Sequence, residues 1–430
     1  MRQPMGGPET AAPQRMDPAL TLVLAVACGL TVANLYYAQP LLALVAHSFG
    51  VGQGAATTVV TLTQVGYALG LLFVLPLGDL VENRRLATRT LLVTATALLL
   101  AALSPVFGMF LAVSVLVGTT SVVAQVLVPL AAQLAPADQQ GRIVGRVMSG
   151  LLLGILLART VSSLVADLLG WRAIYVISAV LMLGLGAVLR RMLPERVPAH
   201  AAGYRSLLAS LGELVRSEPV LRRRALCQAT MFGAFTTFWT VIAYELIDEH
   251  HFGQAQIAVF ALVGAGGAAA APVAGRLADR GHGRAASGAA LLLAAAAFVL
   301  AAVGHSSVAL LALAAVLLDF AVQGHQVLSQ HEVYALRREA RARLNTVFMT
   351  TVFAGGAASS AVAGLLHTGH GWSGVCVFGT ALPLAGLLLW GHGQWAGRSR
   401  ALRESSRVVG ASSPAGTSST ARPVDPVDVG

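Results

Sequence analysis

The sequence predicts an all-α membrane protein: twelve transmembrane helices arranged as two pseudosymmetric six-helix bundles. Three observations carry that expectation. Twelve stretches run apolar for about the 20 residues that a bilayer crossing needs. Apolar residues make up 56% of the chain and charged residues 11%, far below the roughly 25% charged of a soluble domain. All 29 basic residues are arginine, and all but Arg159 and Arg172 fall in the tails or in alternate connections between the apolar stretches.

Residues 1–17 carry Pro4, Pro8 and Pro13 and little apolar content, so they read as a disordered tail. They lack a short apolar core followed by a small-residue cleavage site, and the first span is expected to be retained. The first bundle, 18–190, holds spans at 19–46, 53–78, 87–104, 106–134, 143–167 and 171–190. Arg84, Arg85 and Arg89 follow span two, and Arg142 and Arg146 follow span four, whereas Arg172 alone sits on the opposite side. A linker, 191–222, lies in a run of eight arginines from Arg190 to Arg224, and its stretch Ser206 to Val215 has the pattern of a short amphipathic surface helix. The second bundle, 223–396, holds spans at 223–247, 255–278, 285–303, 307–335, 344–367 and 372–395. Its arginines are Arg276, Arg280 and Arg284 after span eight, then Arg337, Arg338, Arg341 and Arg343 after span ten. Residues 397–430 are rich in Pro, Gly, Ser and Thr and read as a second disordered tail. By the positive-inside rule both termini are cytoplasmic, in a cell inner membrane.

The net charge of +10 is therefore a topology signal, because the arginines sit at span ends and build no basic face for nucleic acid. Cys28, Cys227 and Cys376 all fall within spans, which implies buried free thiols. A Walker-type phosphate loop needs a lysine, and the chain has none. No cofactor or metal is expected. The acidic and histidine cluster at Glu245, Asp248, Glu249, His250 and His251 lacks a fixed ligand spacing and reads as a solvated loop.

Arg159 in span five and Asp319 in span ten are the two charges far from any span end. A charge there costs about 2.5 to 3.5 kcal/mol on insertion scales, so it faces protein or water and has a partner. Spans five and ten run in opposite directions, which brings the two to compatible depths. A functional pair remade during a transport cycle, with Asp319 taking the proton, and a fixed structural pair both fit. Span ten extends the pattern: Asp319, Gln323, Gln326 and Gln330 lie within a sector of about 60° on one helical face. Span four has Ser114, Gly118, Ser121 and Gln125 at the same spacing, span one has Asn34 and Tyr37, and span two has Thr57, Thr61 and Gln64. Such stripes avoid lipid, where their dipoles would go unsatisfied. By the same wheel arithmetic His325 and His331 fall off the polar face of span ten.

The connections after spans two and eight read Leu75-Pro-Leu-Gly-Asp79-Leu-Val-Glu82-Asn-Arg84-Arg85 and Gly275-Arg-Leu-Ala-Asp279-Arg280-Gly-His-Gly-Arg284. They resemble the Gly-x-Leu-Ala-Asp-Arg-x-Gly-Arg signature of the major facilitator superfamily. The second copy carries one extra residue before Arg284, and the first has Leu75 and Glu82 in place of glycines. The runs from Asn34 to Pro40 and from Ser149 to Thr160 look like a bacterial branch related to the drug:proton antiporters, although a Gly-Pro pair usual in span five is here Ala158-Arg159.

The resemblance implies a monomeric secondary carrier, not an enzyme, whose halves rock around a central site. Spans one, four, seven and ten would line the cavity, exposing Asn34, Tyr37, Gln64, Gln125, Gln323 and Gln326 to a small-molecule substrate. Spans five and eight would meet at a seam made by Gly150, Gly154, Ala158 and Ser162 and by the small run 264–271. Asp79 with Arg84 and Arg85, and Asp279 with Gly275, Arg280 and Arg284, would latch the cytoplasmic side against the N-termini of spans eleven and five. Proton-coupled efflux of a small, partly apolar compound is the leading expectation. Uptake or facilitated diffusion of a sugar or organic acid, and a membrane sensor or embedded enzyme, are the alternatives.

Overall fold

The computed structural model describes residues 17–136, 139–195 and 203–411; residues 1–16 of the first tail lie outside the described residues, as do the linker residues 196–202. The described chain is helical throughout, with ten helices individually long and apolar enough to cross a membrane. One of these, Arg341–His392, is 52 residues long and breaks at Gly371, whose φ of +62° and ψ of −157° no helix accommodates. Among the described residues, counting that helix as two passes and including the interrupted first rod gives twelve apolar rods in sequence.

Span one opens at Pro18, whose fixed φ suits a first helical position, with Asp17 accepting the Ala19 N–H at 2.9 Å. Its helix Pro18–Ala33 then breaks over residues 34–38, passes through the 3₁₀ turn Gln39–Leu41 and resumes as Leu42–Phe49. Pro40 supplies no N–H there, so the regular ladder cannot continue. Spans two to six are Gln53–Asp79, Asn83–Ala102, Phe107–Leu134, Gln140–Leu169 and Arg172–Met192, and spans seven to ten are Pro219–Asp248, Gln254–Asp279, Gly283–Val303 and Val308–Leu336. Spans eleven and twelve are the two parts of Arg341–His392. The linker forms the helix Tyr204–Ser217, which buries Leu211 and Leu214, and Arg222 caps its carbonyls at Val215 and Arg216 at 2.6 and 2.7 Å. The last helix continues to Ala411, past the boundary expected at 396. Its added turns are rich in good helix formers such as Ala401, Leu402, Arg403 and Glu404. The tail reading is thereby corrected for 397–411, while 412–430 lie outside the described residues.

Close backbone contact knits the first bundle. A Cβ added at Gly154 would lie 2.2 Å from the Gly29 carbonyl oxygen, and one at Gly118 would lie 2.0 Å from that of Thr63. Gly150 and Gly154 therefore pack against span one, while spans five and eight meet elsewhere along their length, as at Ser163 and Gln254. Ser114 and Ser121 of the span-four stripe donate to their own helix, to the carbonyls of Phe110 and Val117, each at 2.7 Å. That stripe serves close packing with span two. In span eight, the small run 264–271 meets span ten: Cβ atoms at Gly264 and Gly267 would each lie 2.9 Å from Asp319 side-chain atoms.

Hydrogen bonds between the halves gather at the arginine-poor end. Gln53 Nε2 donates to Asp248 at 3.4 Å, Tyr244 to the Gln53 carbonyl at 3.3 Å, Ser163 to Gln254 at 3.0 Å and Gln254 to the Pro40 carbonyl at 3.4 Å. Deeper in, Thr61 and Ser360 hydroxyls meet at 2.8 Å. Toward the arginine-rich end Asn345 Nδ2 donates to Gln125 at 3.2 Å.

Candidate functional site

Arg159 crosses the boundary between the halves. Its guanidinium lies 4.2 Å from the Trp239 ring centroid, 5.1 Å from that of Phe235 and 5.0 Å from that of Tyr36. Trp239 and Phe235 come from span seven and Tyr36 from the break in span one. Arg159 Nε donates to Gln39 Oε1 at 2.7 Å, and Gln39 is placed by the 3₁₀ turn after that break. Nη2 has no hydrogen-bond partner, nor has Gln39 Nε2, and both are buried. Such ring faces attract a desolvated cation by about 2 kcal/mol or more.

Asp319 and Arg159 do not form an ion pair. Trp239 stands between them: its face takes the guanidinium, and its Nε1–H donates to Asp319 Oδ1 at 2.9 Å. Asp319 is 4% exposed and lies under the glycines of span eight, where a side chain would collide with it. The two deep charges are thus brought to one place, bridged by an indole that the sequence reading did not single out. An aromatic residue in an apolar helix looks like core packing, and its polar N–H shows only once its neighbour is known.

The polar stripes divide. Gln64 Nε2 reaches Thr236 of span seven at 3.5 Å, while its Oε1 stays buried without a partner. Gln125 accepts from Asn345, and Gln326 accepts from Gln228 Nε2 at 3.5 Å. Gln323 is partly exposed. Asn34 and Tyr37 are corrected: Asn34 accepts from Ser178 Oγ at 2.7 Å and points its amide at Met182, and the Tyr37 hydroxyl also bonds Ser178. Both face span six within the first bundle. Tyr36 and Gln39 take the central position instead.

A second buried arginine lies toward the arginine-rich end. Arg224, 2% exposed, donates from Nε to Glu332 Oε2 at 2.7 Å, from Nη2 to Glu332 Oε1, and from Nη1 to Ser287 Oγ at 3.0 Å. His325, fully buried, donates from Nδ1 to Gln228 Oε1 at 2.6 Å. Falling off the polar stripe of span ten, it faces span seven; the wheel gave its angle and not its neighbour.

Comparison with known proteins decides the family: the chain matches the Major Facilitator Superfamily over residues 23–330 and 224–413. It belongs to that superfamily. The uncharacterized transporter YgaY of Escherichia coli is 40% identical over 379 residues, covering 88% of this chain and 96% of YgaY. A chloramphenicol resistance protein of Streptomyces lividans is 30% identical over 241 residues, 55% of this chain and 60% of its own length. A crystal structure of a peptide transporter in complex with alafosfalin superposes with a TM-score of 0.71 at 15% identity, covering 90% of this chain and 97% of the other. The chain is therefore a multi-pass membrane transporter and not an enzyme.

In this superfamily member the two signature loops differ. In the first, Glu82 is buried and pairs with Arg84 at 3.3 Å and with Arg85 at 2.5 Å, and Arg84 also meets Glu195. These arginines serve the first bundle, while Asp79 lies within electrostatic reach of Arg343 at the start of span eleven. In the second, Asp279, Arg280 and Arg284 are exposed and Gly275 has open space where a side chain would go. Among the described residues, no group of three or more His, Cys, Asp or Glu is placed to hold a metal.

Proposed function

We propose that the transporter couples efflux of a small, partly apolar compound to proton entry, with Asp319 as the proton-bearing group and Arg159 as its conditional partner. The observation that carries this reading is the indole of Trp239 held between the two charges, one from each half, at the boundary that must open. A change of charge on Asp319 alters what holds Trp239, and Trp239 in turn holds Arg159. Gln64, Gln125, Gln323 and Gln326 supply polar contacts in the cavity, and Asp79 with Arg343 contributes a latch at the arginine-rich end. That end is cytoplasmic in an inner membrane, together with both termini, by the arginine distribution. The similarity to a chloramphenicol resistance protein supports export of a small organic compound.

Purified protein in proteoliposomes with an imposed pH gradient, screened over a compound library, tests the coupling. Asp319→Asn keeps size and hydrogen bonding while removing the titratable charge. It should abolish gradient-driven accumulation, and undiminished accumulation would move coupling elsewhere. A cysteine at His250 should react with an impermeant label from outside intact cells, and one at Arg216 should not.

A further inference from the structure

The orphan donors beside Arg159 point to a substrate class, an inference that rests on the transport reading above. Gln39 accepts from Arg159 Nε through Oε1, which fixes its amide, since the flipped form would set N–H against N–H. Gln39 Nε2 is therefore held next to the guanidinium, and it shares with Arg159 Nη2 the lack of any acceptor. Two buried donors thus sit on side chains joined by one hydrogen bond, one of them on a cation. Around them stand the rings of Tyr36, Phe235 and Trp239, and an apolar gap lined by Pro40, Ile242, Leu246 and Phe260 adjoins Arg159 and Trp239.

A buried water would satisfy the donors but bring no counter-charge to the guanidinium, which Asp319 supports only at a distance across the indole. Asp319 is engaged by the Trp239 N–H and does not pair with Arg159. A cationic ligand would be repelled. A carboxylate meets both needs, accepting from a guanidinium edge and an amide at once, and a flat apolar body behind it would enter along the apolar gap beside Trp239, which must widen to take it. We infer that Arg159 and Gln39 bind the carboxylate of aromatic or similarly flat apolar monocarboxylic acids, and that these are the substrate class.

Binding is measured calorimetrically on the purified, detergent-solubilised transporter with benzoate, 1-naphthoate and indole-3-acetate, each beside its uncharged amide. At least one acid should bind about tenfold or more tighter than its amide. Gln39→Met should weaken the acid severalfold and leave the amide unchanged. Arg159→Lys, which keeps the charge but loses the planar donor edge, should remove most of the preference. Thermal melting of each variant establishes that it is folded. Absence of binding by every acid to folded wild-type protein, equal binding of acid and amide, or an acid preference that survives both substitutions would overturn the inference. The proton reading fails separately. If uncharged compounds are driven by the pH gradient through Asp319 while no acid binds, that reading stands and this one falls. If acids bind with the stated preference but their flux ignores the gradient and Asp319→Asn, the reverse holds.

Discussion

Arg159 and Arg224 are each 2% exposed, yet their surroundings differ in kind. Arg224 has its three guanidinium nitrogens bonded, two to the Glu332 carboxylate and one to Ser287. Arg159 has one hydrogen bond, to a neutral amide, and three aromatic faces. The first arrangement sits wholly within the second bundle and is complete. The second spans the boundary between bundles and leaves a donor unmet. A buried ion pair resists losing one partner, by about 3 to 5 kcal/mol, whereas a buried charge without a counter-ion is already a cost to the fold. Substitutions at the two arginines should therefore move stability in different directions.

The largest effect is expected at the complete site. Glu332→Gln strands Arg224, whose side chain is 3% exposed, and should lower stability by about 3 kcal/mol. Arg224→Gln strands Glu332 instead, and that side chain is 33% exposed and reaches solvent, so the loss should be about half as large. Replacing both by leucine should restore most of it. Thermal melting in one detergent ranks the three, and equal losses in the two single variants would mean that burial of Arg224 is not what makes the pair costly to break.

A smaller loss is expected at Trp239. Trp239→Phe keeps a ring for Arg159 but removes the N–H that Asp319 accepts, a charge-assisted bond worth about 2 kcal/mol. Trp239→Leu removes the face as well and should cost more. Indistinguishable melting of the two would show that the ring face contributes nothing, and the contrast drawn between the two arginines would lose its basis.

Most of the fold is legible in the sequence because a bilayer crossing demands length and apolarity, which hydropathy reads directly; the span expected at 171–190 is Arg172–Met192. The conjunction of Arg159 and Asp319 was legible for the same reason, since deep charges are rare and stand out. What joins them was not. Trp239 sits in a helix whose residues from Met231 to Leu246 are all buried, so nothing local separates it from packing. Asn34 and Tyr37 are expected at the cavity because the resemblance assigns a whole span to it, which does not reveal which of that span's polar residues turn toward a neighbour in the same bundle. Gly150 and Gly154 of span five, expected at the seam with span eight, abut span one instead, because spacing reveals that a face is small and not which helix approaches it.

The smallest effect is the one that separates the two arginines most sharply. Arg159→Met removes a charge that has no carboxylate within pairing distance and replaces it with an unbranched side chain able to fill the space among Tyr36, Phe235 and Trp239. The lost bond to Gln39 and the lost ring contacts are offset by the desolvation that the guanidinium no longer suffers. Stability should stay within about 1 kcal/mol of the unmodified protein, or rise. Asp319 keeps its hydrogen bond from Trp239 but loses a nearby cation, and the two residues share Trp239, so adding Asp319→Asn should depart only modestly from the sum of the single effects, by less than a direct ion pair would give. A loss of the size expected for Glu332→Gln, or a strong rescue in the double variant, would mean that Arg159 and Asp319 pair directly in the state being melted. Trp239 would then separate the two charges only in the conformation described and not in the one being melted.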